Sequence, residues 1–316
     1  MSVVSVVVLS YNNFEGTTGP CLESLYADPA CGKWKVVVVD NASDSTTREK
    51  LEEASRRFAN CDIIFNDANL GFPGGMNVGL RNNQRAVTVL LNSDTRVLPG
   101  MIDALANALM SNPKLGIVAP VSNAAGNEQK IFCGADAPDA ILREGGLYAS
   151  AGGADLIPAY RLDFCGVAVS RQLIDRVGLL DEDFGRGYYE DFDYCIRARR
   201  AGFNPSVVES AFLYHQGGAS FSKMSQQTKD LLAKNKKLLI RKHGADLRMP
   251  HVRDANLAVL THYAGLKQQR QTIPAARINN RLSLAAAELP RGFFKRLRYR
   301  NKLNRLKRCL SQFAKV

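Results

Sequence analysis

The sequence predicts an α/β protein built on a doubly wound, mostly parallel sheet. Three observations carry that prediction. Apolar, largely β-branched runs recur at 3–9, 35–39, 62–65, 86–91 and 115–119, the pattern of strands buried on both faces. Helical segments separate these runs, and strands that alternate with helices pair in parallel through right-handed crossovers. Several runs end in polar residues, with Tyr11, Asp40 and Asp94 just beyond or at the end of theirs. In such sheets ligands bind at the carboxyl ends of the strands.

The elements follow in order. A first helix is predicted to begin after Gly19 with Pro20 at its first position, where a missing N–H costs nothing. A second carries Glu49 to Phe58, capped by Ser43 or Ser45. The run Asn69-Leu70-Gly71-Phe72-Pro73-Gly74-Gly75-Met76-Asn77 precedes a third helix. It is either a plain tight turn or a loop whose glycines let backbone N–H groups approach a phosphate. Residues 120–160 lack a clear period and are rich in Gly, Ala, Ser and Asn, which predicts long loops and a mobile flap. A strand at 162–169, a short helix at 172–177, a strand at 207–213 and a helix at 225–243 come next. The character changes near Gly244, which divides the chain into a domain over 1–244 and a basic, largely helical extension over 245–316.

Composition narrows the class. With 46% hydrophobic and 23% charged residues, the chain has ordinary globular composition. No apolar run reaches the ~18 residues of a membrane span. The apolar start has no basic segment before it and leads into Ser10-Tyr11-Asn12-Asn13, so it reads as a strand and not as a signal peptide. Seven cysteines without a Cys-x-x-Cys pair argue against a zinc site and a disulfide framework, and for a reducing cytoplasm. Fourteen of the basic residues and one acid, Glu288, lie between 265 and 316, so the +12 net charge belongs to the tail.

The chemistry concentrates at two places. Tyr188-Tyr189-Glu190-Asp191-Phe192-Asp193 sets three carboxylates among aromatics at a helix start. The helix dipole stabilises acids there, and partial desolvation can also turn one of them into a useful base. Asp94 ends a buried strand, where a carboxylate either caps a helix or faces a cation. A Mg²⁺ or Mn²⁺ on a diphosphate needs one or two such carboxylates. His215 is either a structural histidine or a further ligand, a role that suits Mn²⁺ better than Mg²⁺. The first strand is not followed by Gly-x-Gly-x-x-Gly, and the glycine-rich run has no P-loop lysine, which excludes the common dinucleotide and triphosphate motifs. A nucleotidyltransferase would want a basic residue near the first strand, and Tyr11-Asn12-Asn13 supplies none.

In order along 3–222, the chain resembles the nucleotide-sugar glycosyltransferases of family 2, with the GT-A fold. The matching segments are Val6-Val7-Val8-Leu9-Ser10-Tyr11-Asn12, Val38-Val39-Asp40-Asn41-Ala42-Ser43-Asp44, the run from Asn69 to Gly79, Leu91-Asn92-Ser93-Asp94-Thr95, Tyr189-Glu190-Asp191-Phe192-Asp193 and His215 with Gly217-Gly218. The resemblance is nearest to the branch with rhamnosyltransferases of bacterial surface polysaccharides. It implies an inverting transfer in which Asp191 deprotonates the acceptor hydroxyl. It also implies nucleotide-sugar contacts from Tyr11, Asp40, Gly71, Asn77, Asn92, Ser93, Asp94, Asp163 and Glu190, with Mg²⁺ or Mn²⁺ held by Asp94 and His215. Asp193 and Arg197, four apart, are expected to pair. Asn92 departs from the family's two-acid metal motif, and a neutral amide binds Mg²⁺ more weakly than a carboxylate.

The expected partners are a nucleoside diphosphate sugar, with dTDP-L-rhamnose favoured over a UDP-sugar, and a lipid-linked or polysaccharide acceptor. The tail predicts a basic amphipathic helix over 289–313, with Phe293, Leu297, Leu303, Leu306, Leu310 and Phe313 on its apolar side. Three uses fit it: attachment to an anionic membrane at the inner face of the cell, packing on the main domain, or a homo-oligomer contact. The lack of interleaved aromatics disfavours nucleic acid. The rival of another class is an inactive membrane-recruited scaffold, against which Glu190, Asp191 and His215 argue.

Overall fold

Strand β1 (Val4–Ser10) shows why the sheet is covered on both faces. Val4, Val6 and Val8 point into one hydrophobic core, with Leu22 and Leu25 of α1 (Thr18–Tyr26), Leu51 of α2 (Ser45–Arg57) and Leu105 of α4 (Met101–Ser111). Val7 points into the other, with Met76 and Leu80 of α3 (Gly71–Arg81). Successive side chains of a strand face opposite ways, so a continuous apolar run demands helices on both sides. The computed structural model describes residues 3–217, 225–244 and 247–311.

The remaining strands are β2 (Trp34–Asp40), β3 (Cys61–Phe65), β4 (Val87–Asn92), β5 (Thr95–Val97), β6 (Ile117–Ser122), β7 (Leu156–Pro158), β8 (Gly166–Ser170) and β9 (Ser206–His215). Among the described residues they form one sheet in the order β3-β2-β1-β4-β8-β6-β9-β5, with β7 also on β9. The β3-β2-β1-β4 half is wholly parallel. β8 enters antiparallel between β4 and β6, and β9 runs parallel to β6. The expected doubly wound α/β sheet is therefore present.

Several local expectations change. The stretch expected as loops over 120–160 holds α5 (Pro138–Ala149) and β7. Its small residues serve close packing: a Cβ on Gly145 would lie 2.3 Å from the Phe212 ring of β9. β6 runs on through Pro120, where a register shift absorbs the proline. Helix α1 begins two residues before Pro20, which sits in its first turn. Helix α2 is capped by Asp44, whose side chain accepts from the Thr47 N–H, and neither Ser43 nor Ser45 does this. The glycine-rich run does not precede α3 but forms it. A Cβ on Gly75 would meet Leu9 at 2.4 Å and one on Gly79 would meet Val7 at 2.3 Å, so these glycines let α3 lie against β1. Gly71 alone keeps a left-handed φ of 70° at the helix start.

The remaining helices are α6 (Arg171–Val177), α7 (Glu190–Arg200), α8 (Gln226–His243), α9 (Val252–Gln268), α10 (Ala275–Ala287) and α11 (Phe293–Ser311). The boundary expected near Gly244 falls between α8 and α9, yet the helices beyond it share the main core. Leu257, Leu260, Tyr263 and Ile278 join the cluster that holds Val121, Val207 and Phe212 of the sheet. Arg277 and Arg281 of α10 are fully buried. Arg281 lies 3.2 Å from Glu209 of β9 and donates to the Glu128 carbonyl and the Tyr148 hydroxyl. Tyr148 and Tyr263 also donate to Glu209.

The apolar stripe expected along α11 divides in two. Tyr299, Leu303, Leu306 and Leu310 pack on the main core, whereas Phe293, Phe294 and Leu297 are exposed. At 100° per residue the second set lies roughly 110–150° around the helix from the first, so one stripe cannot contain both. Phe313 lies outside the described residues. Among those residues no helix is long and apolar enough to cross a membrane.

Removing one partner of a buried ion pair strands the other charge. Arg281→Met should therefore cost about 3–5 kcal/mol of stability in urea unfolding. A loss below about 1 kcal/mol, the worth of a surface pair, would show that Arg277 and the two tyrosines satisfy Glu209 without Arg281.

Candidate active site

A cleft of about 500 Å³ opens at the carboxyl ends of β4 and the start of β8. Its lining includes Asn92, Arg161, Asp163, Glu190, Asp191 and His215. Sheet register assembles one wall. Ser93-Asp94 is the turn between β4 and β5, and β5 pairs antiparallel with β9 so that Thr95 stands opposite His215. This brings Asp94 Oδ2 to 3.2 Å from His215 Nε2. Asn123 brackets the His215 backbone, accepting from its N–H and donating to its carbonyl. Burial alone would pull the His215 pKa down, but hydrogen bonds to Asp94 and Cys165 overcome it and push it up to about 11.

Asp94 and His215 suit a divalent cation. Two ligand atoms in neighbouring corners of an octahedron, with bonds near 2.1 Å, lie about 3 Å apart, close to the observed 3.2 Å. The Ala124 carbonyl lies 3.4 Å from the other ring nitrogen, a partner able to fix its tautomer. The Asn92 side-chain oxygen is buried without a partner in the same cleft. No group of three or more His, Cys, Asp and Glu side chains forms a metal cage among the described residues. A cation held by two side chains leaves its other positions for water and phosphate, the habit of Mg²⁺ and Mn²⁺ in nucleotide sites.

The opposite wall is the start of α7. Glu190, Asp191 and Asp193 fall in its first turn, where the helix dipole favours acids. Tyr188 and Tyr189, just before it, both have left-handed backbones, with φ of 71° and 76°. That conformation costs an L-residue about 1–2 kcal/mol, and Asn235 of α8 offsets it. Its buried amide donates to the carbonyls of Phe184, Gly187 and Tyr188. Gly71 supports the same loop, since a Cβ there would lie 2.0 Å from the Gly185 carbonyl.

The three acids differ in environment. Asp193 is fully buried and pairs with Arg197, as expected, and also with Lys242 and His243 of α8. Burial works against its charge, but the Arg197 charge and hydrogen bonds to Lys242, His243 and Arg197 hold its carboxyl below the usual range. Glu190 is buried with one oxygen unpartnered. Burial, reinforced by the Asp191 charge, pushes its carboxyl up to about 8. Asp191 is pushed up to about 6 by burial, partly opposed by Arg161. The Arg161 guanidinium lies 3.2 Å from Asp191, pairs with Asp163 and stacks 4.3 Å from the Phe192 ring. Sequence reading missed Arg161 and Asn235. Neither belongs to a motif, and only the position of Arg161 two residues before Asp163 could have drawn notice.

The other expected residues lie elsewhere. Asp40 faces Ser10 across β1 and β2, on the same rim as the half-exposed Tyr11. Asp40 accepts from the Ser43 N–H and from Arg48, and its second oxygen is buried and unpartnered. Asn77 does not reach the cleft: it is fully buried and bonds to Leu180 and Glu182, bracing α3 against the segment before α7. Gly218, the last residue of the late motif, lies outside the described residues.

Residues 5–132 match the model of glycosyl transferase family 2. The fold is GT-A. GalNAc-T7, solved with UDP, GalNAc and Mn²⁺, superposes with a TM-score of 0.59 at 14% identity, over 75% of this chain and 48% of that one. S. aureus TarS 1–349 in complex with UDP-GlcNAc gives 0.54 at 16% identity, over 98% of this chain and 81% of that one. Among curated relatives, the low-salt glycan biosynthesis hexosyltransferase Agl10 of Haloferax volcanii is 27% identical over 211 residues, 64% of this chain and 63% of the relative. An uncharacterized protein of Mycobacterium tuberculosis is 32% identical over 162 residues, 47% of this chain and 55% of that protein. The chain thus spans less than two thirds of either relative.

Arg161 opposes the upward pull of burial on Asp191. In Arg161→Met the titration of the Asp191 carboxyl, followed by ¹³C NMR, should move to higher pH. An unchanged midpoint would mean that the guanidinium is neutralised by Asp163 alone.

Proposed function

We propose that the protein is an inverting glycosyltransferase that moves one sugar from a nucleoside diphosphate donor to a cell-envelope glycan acceptor. The observation that carries this reading is the meeting of Asp94 with His215 across one cleft from Asp191, in a chain whose residues 5–132 match the family 2 model. Asp191 is the general base. Its carboxylate takes the proton of the acceptor hydroxyl as that oxygen attacks the anomeric carbon, and the nucleoside diphosphate departs from the opposite face. A positioned base of this kind contributes about 10²- to 10⁴-fold in rate. Burial beside Arg161 keeps Asp191 oriented and more basic than an exposed aspartate.

Glu190, whose carboxyl burial pushes toward the neutral form, donates a hydrogen bond to a sugar hydroxyl, and Asp163 accepts from another. Asp40 and Tyr11 receive the base and ribose on the adjoining rim, near Gly71, while Asn92 and Ser93 meet the phosphate end. Asp94 and His215 hold Mg²⁺ or Mn²⁺, which when bound supplies positive charge beside the leaving diphosphate. The favoured donor is dTDP-L-rhamnose, from the resemblance of the motifs to the rhamnosyltransferase branch. A UDP-sugar is the second reading, favoured by the UDP and UDP-GlcNAc in the two solved relatives. The acceptor is lipid-linked or polysaccharide, presented at the inner face of the cell membrane.

A thermal-shift screen of nucleoside diphosphate sugars with and without Mn²⁺ should give a metal-dependent rise in Tm for the true donor, since stabilisation grows with ligand concentration over Kd. No shift with any donor in either condition would sink the reading. Asp191→Asn should lower turnover by at least about 10²-fold with donor affinity nearly intact; a large loss of donor affinity would assign Asp191 to the donor instead. Because the base must be ionised, kcat should climb with pH and level off above about 6. A profile already flat at pH 5 would remove Asp191 as the base.

A further inference from the structure

Helix α11 has two ends of different character. Its later turns are anchored, with Tyr299 and Leu310 buried and Leu303 and Leu306 packed on the core. Its first turns are not. Phe293 is 75% exposed, Phe294 76% and Leu297 47%. The two phenyl rings meet edge to face at 5.5 Å, which makes one apolar knob. At 100° per residue Phe294 and Leu297 lie roughly 150° and Phe293 roughly 110° around the helix from the anchored seam, so the exposed three face away from the domain. Exposed bases surround them: Arg291, Lys295, Arg296, Arg298, Arg300 and Lys302. From 289 to 311 there are nine basic residues and no acid.

We propose that this end of α11 docks the protein on an anionic lipid bilayer. Phe293, Phe294 and Leu297 enter the headgroup and acyl boundary while the surrounding arginines and lysines pair with lipid phosphates. The chemistry of the patch selects this occupant. Phenyl and isobutyl groups bring no polar atom to satisfy, and they gain from leaving water for an apolar interior. Each basic residue near an anionic surface adds about 1 kcal/mol. A second copy is a poor occupant, because a two-fold contact would set the same basic turns against themselves. Anchoring by the tight packing of Tyr299 to Leu310 makes the knob rigid, so docking orders no new helix and carries the whole domain with it. This deepens the reading of a membrane-presented acceptor and rests on that reading for its purpose.

Co-sedimentation of the full chain with vesicles tests it. The protein should bind phosphatidylcholine vesicles that contain phosphatidylglycerol, lose that binding as salt screens the charges, and ignore phosphatidylcholine alone. Phe293→Ser with Phe294→Ser should reduce partitioning by about tenfold or more, with circular dichroism unchanged because both sites are exposed. Equal binding to neutral vesicles, no binding to anionic ones, or full binding by the double variant would overturn the proposal. So would binding of a single-stranded oligonucleotide at a salt concentration where anionic vesicles are not bound. Hydrolysis of the donor without vesicles separates the two readings. Its absence beside intact vesicle binding would remove the transferase reading and leave the docking surface, whereas the double variant should hydrolyse donor as wild type does.

Discussion

The buried carboxylate of Glu209 is the constraint around which the second half of the chain is built. It sits in the middle of β9 with no exposed surface and meets two tyrosine hydroxyls and two arginines. A charge without water must find partners inside the protein. Here they come from α5 and, more than a hundred residues later, from the consecutive helices α9 and α10. Satisfying one carboxylate therefore docks the C-terminal helices on the sheet and closes α5 over it. The same strand ends at His215, so the element that holds the C-terminal helices also sets one wall of the cleft.

Burial also differentiates the three acids at the start of α7. They share one helical turn and one dipole, yet Asp193 is held charged by Arg197, Lys242 and a hydrogen bond to His243 while Glu190 and Asp191 are pushed upward. The difference is in what faces each side chain. Asp193 turns toward Lys242 and His243 of α8, and Asp191 turns toward Arg161 and the cleft. Helix α8 does double duty here, since Asn235 on it also pins the two left-handed tyrosines that precede the acids. Strain of this kind persists at functional sites because its surroundings over-determine it.

Much of this was legible in the residues. The β-branched runs gave the strands, their polar ends gave the rim, and the acidic turn and His215 were singled out before any geometry. Composition misled where small residues had two uses. Glycine and alanine over 120–160 read as flexible chain, but Gly145 is small because the Phe212 ring lies against it. Gly75 and Gly79 resembled a phosphate loop, but they let α3 approach β1. A glycine needed for φ and a glycine needed for space look identical in sequence. Asn77 was misplaced for a related reason, because an amide can as well brace a fold as meet a ligand.

By itself the sequence determined the layered α/β sheet, because the period of the apolar residues dictates which faces are buried, and it determined the order of the chemical groups along the chain. Tertiary structure alone decided which of them meet. The pairing of β5 with β9 sets Asp94 beside His215, across more than a hundred residues of chain. The path from 161 to 163 sets a guanidinium against Asp191. The phase of α11 decides which half of its apolar residues is core and which faces outward. Those outcomes depend on register and on desolvation, which belong to pairs of surfaces and not to any one stretch of chain.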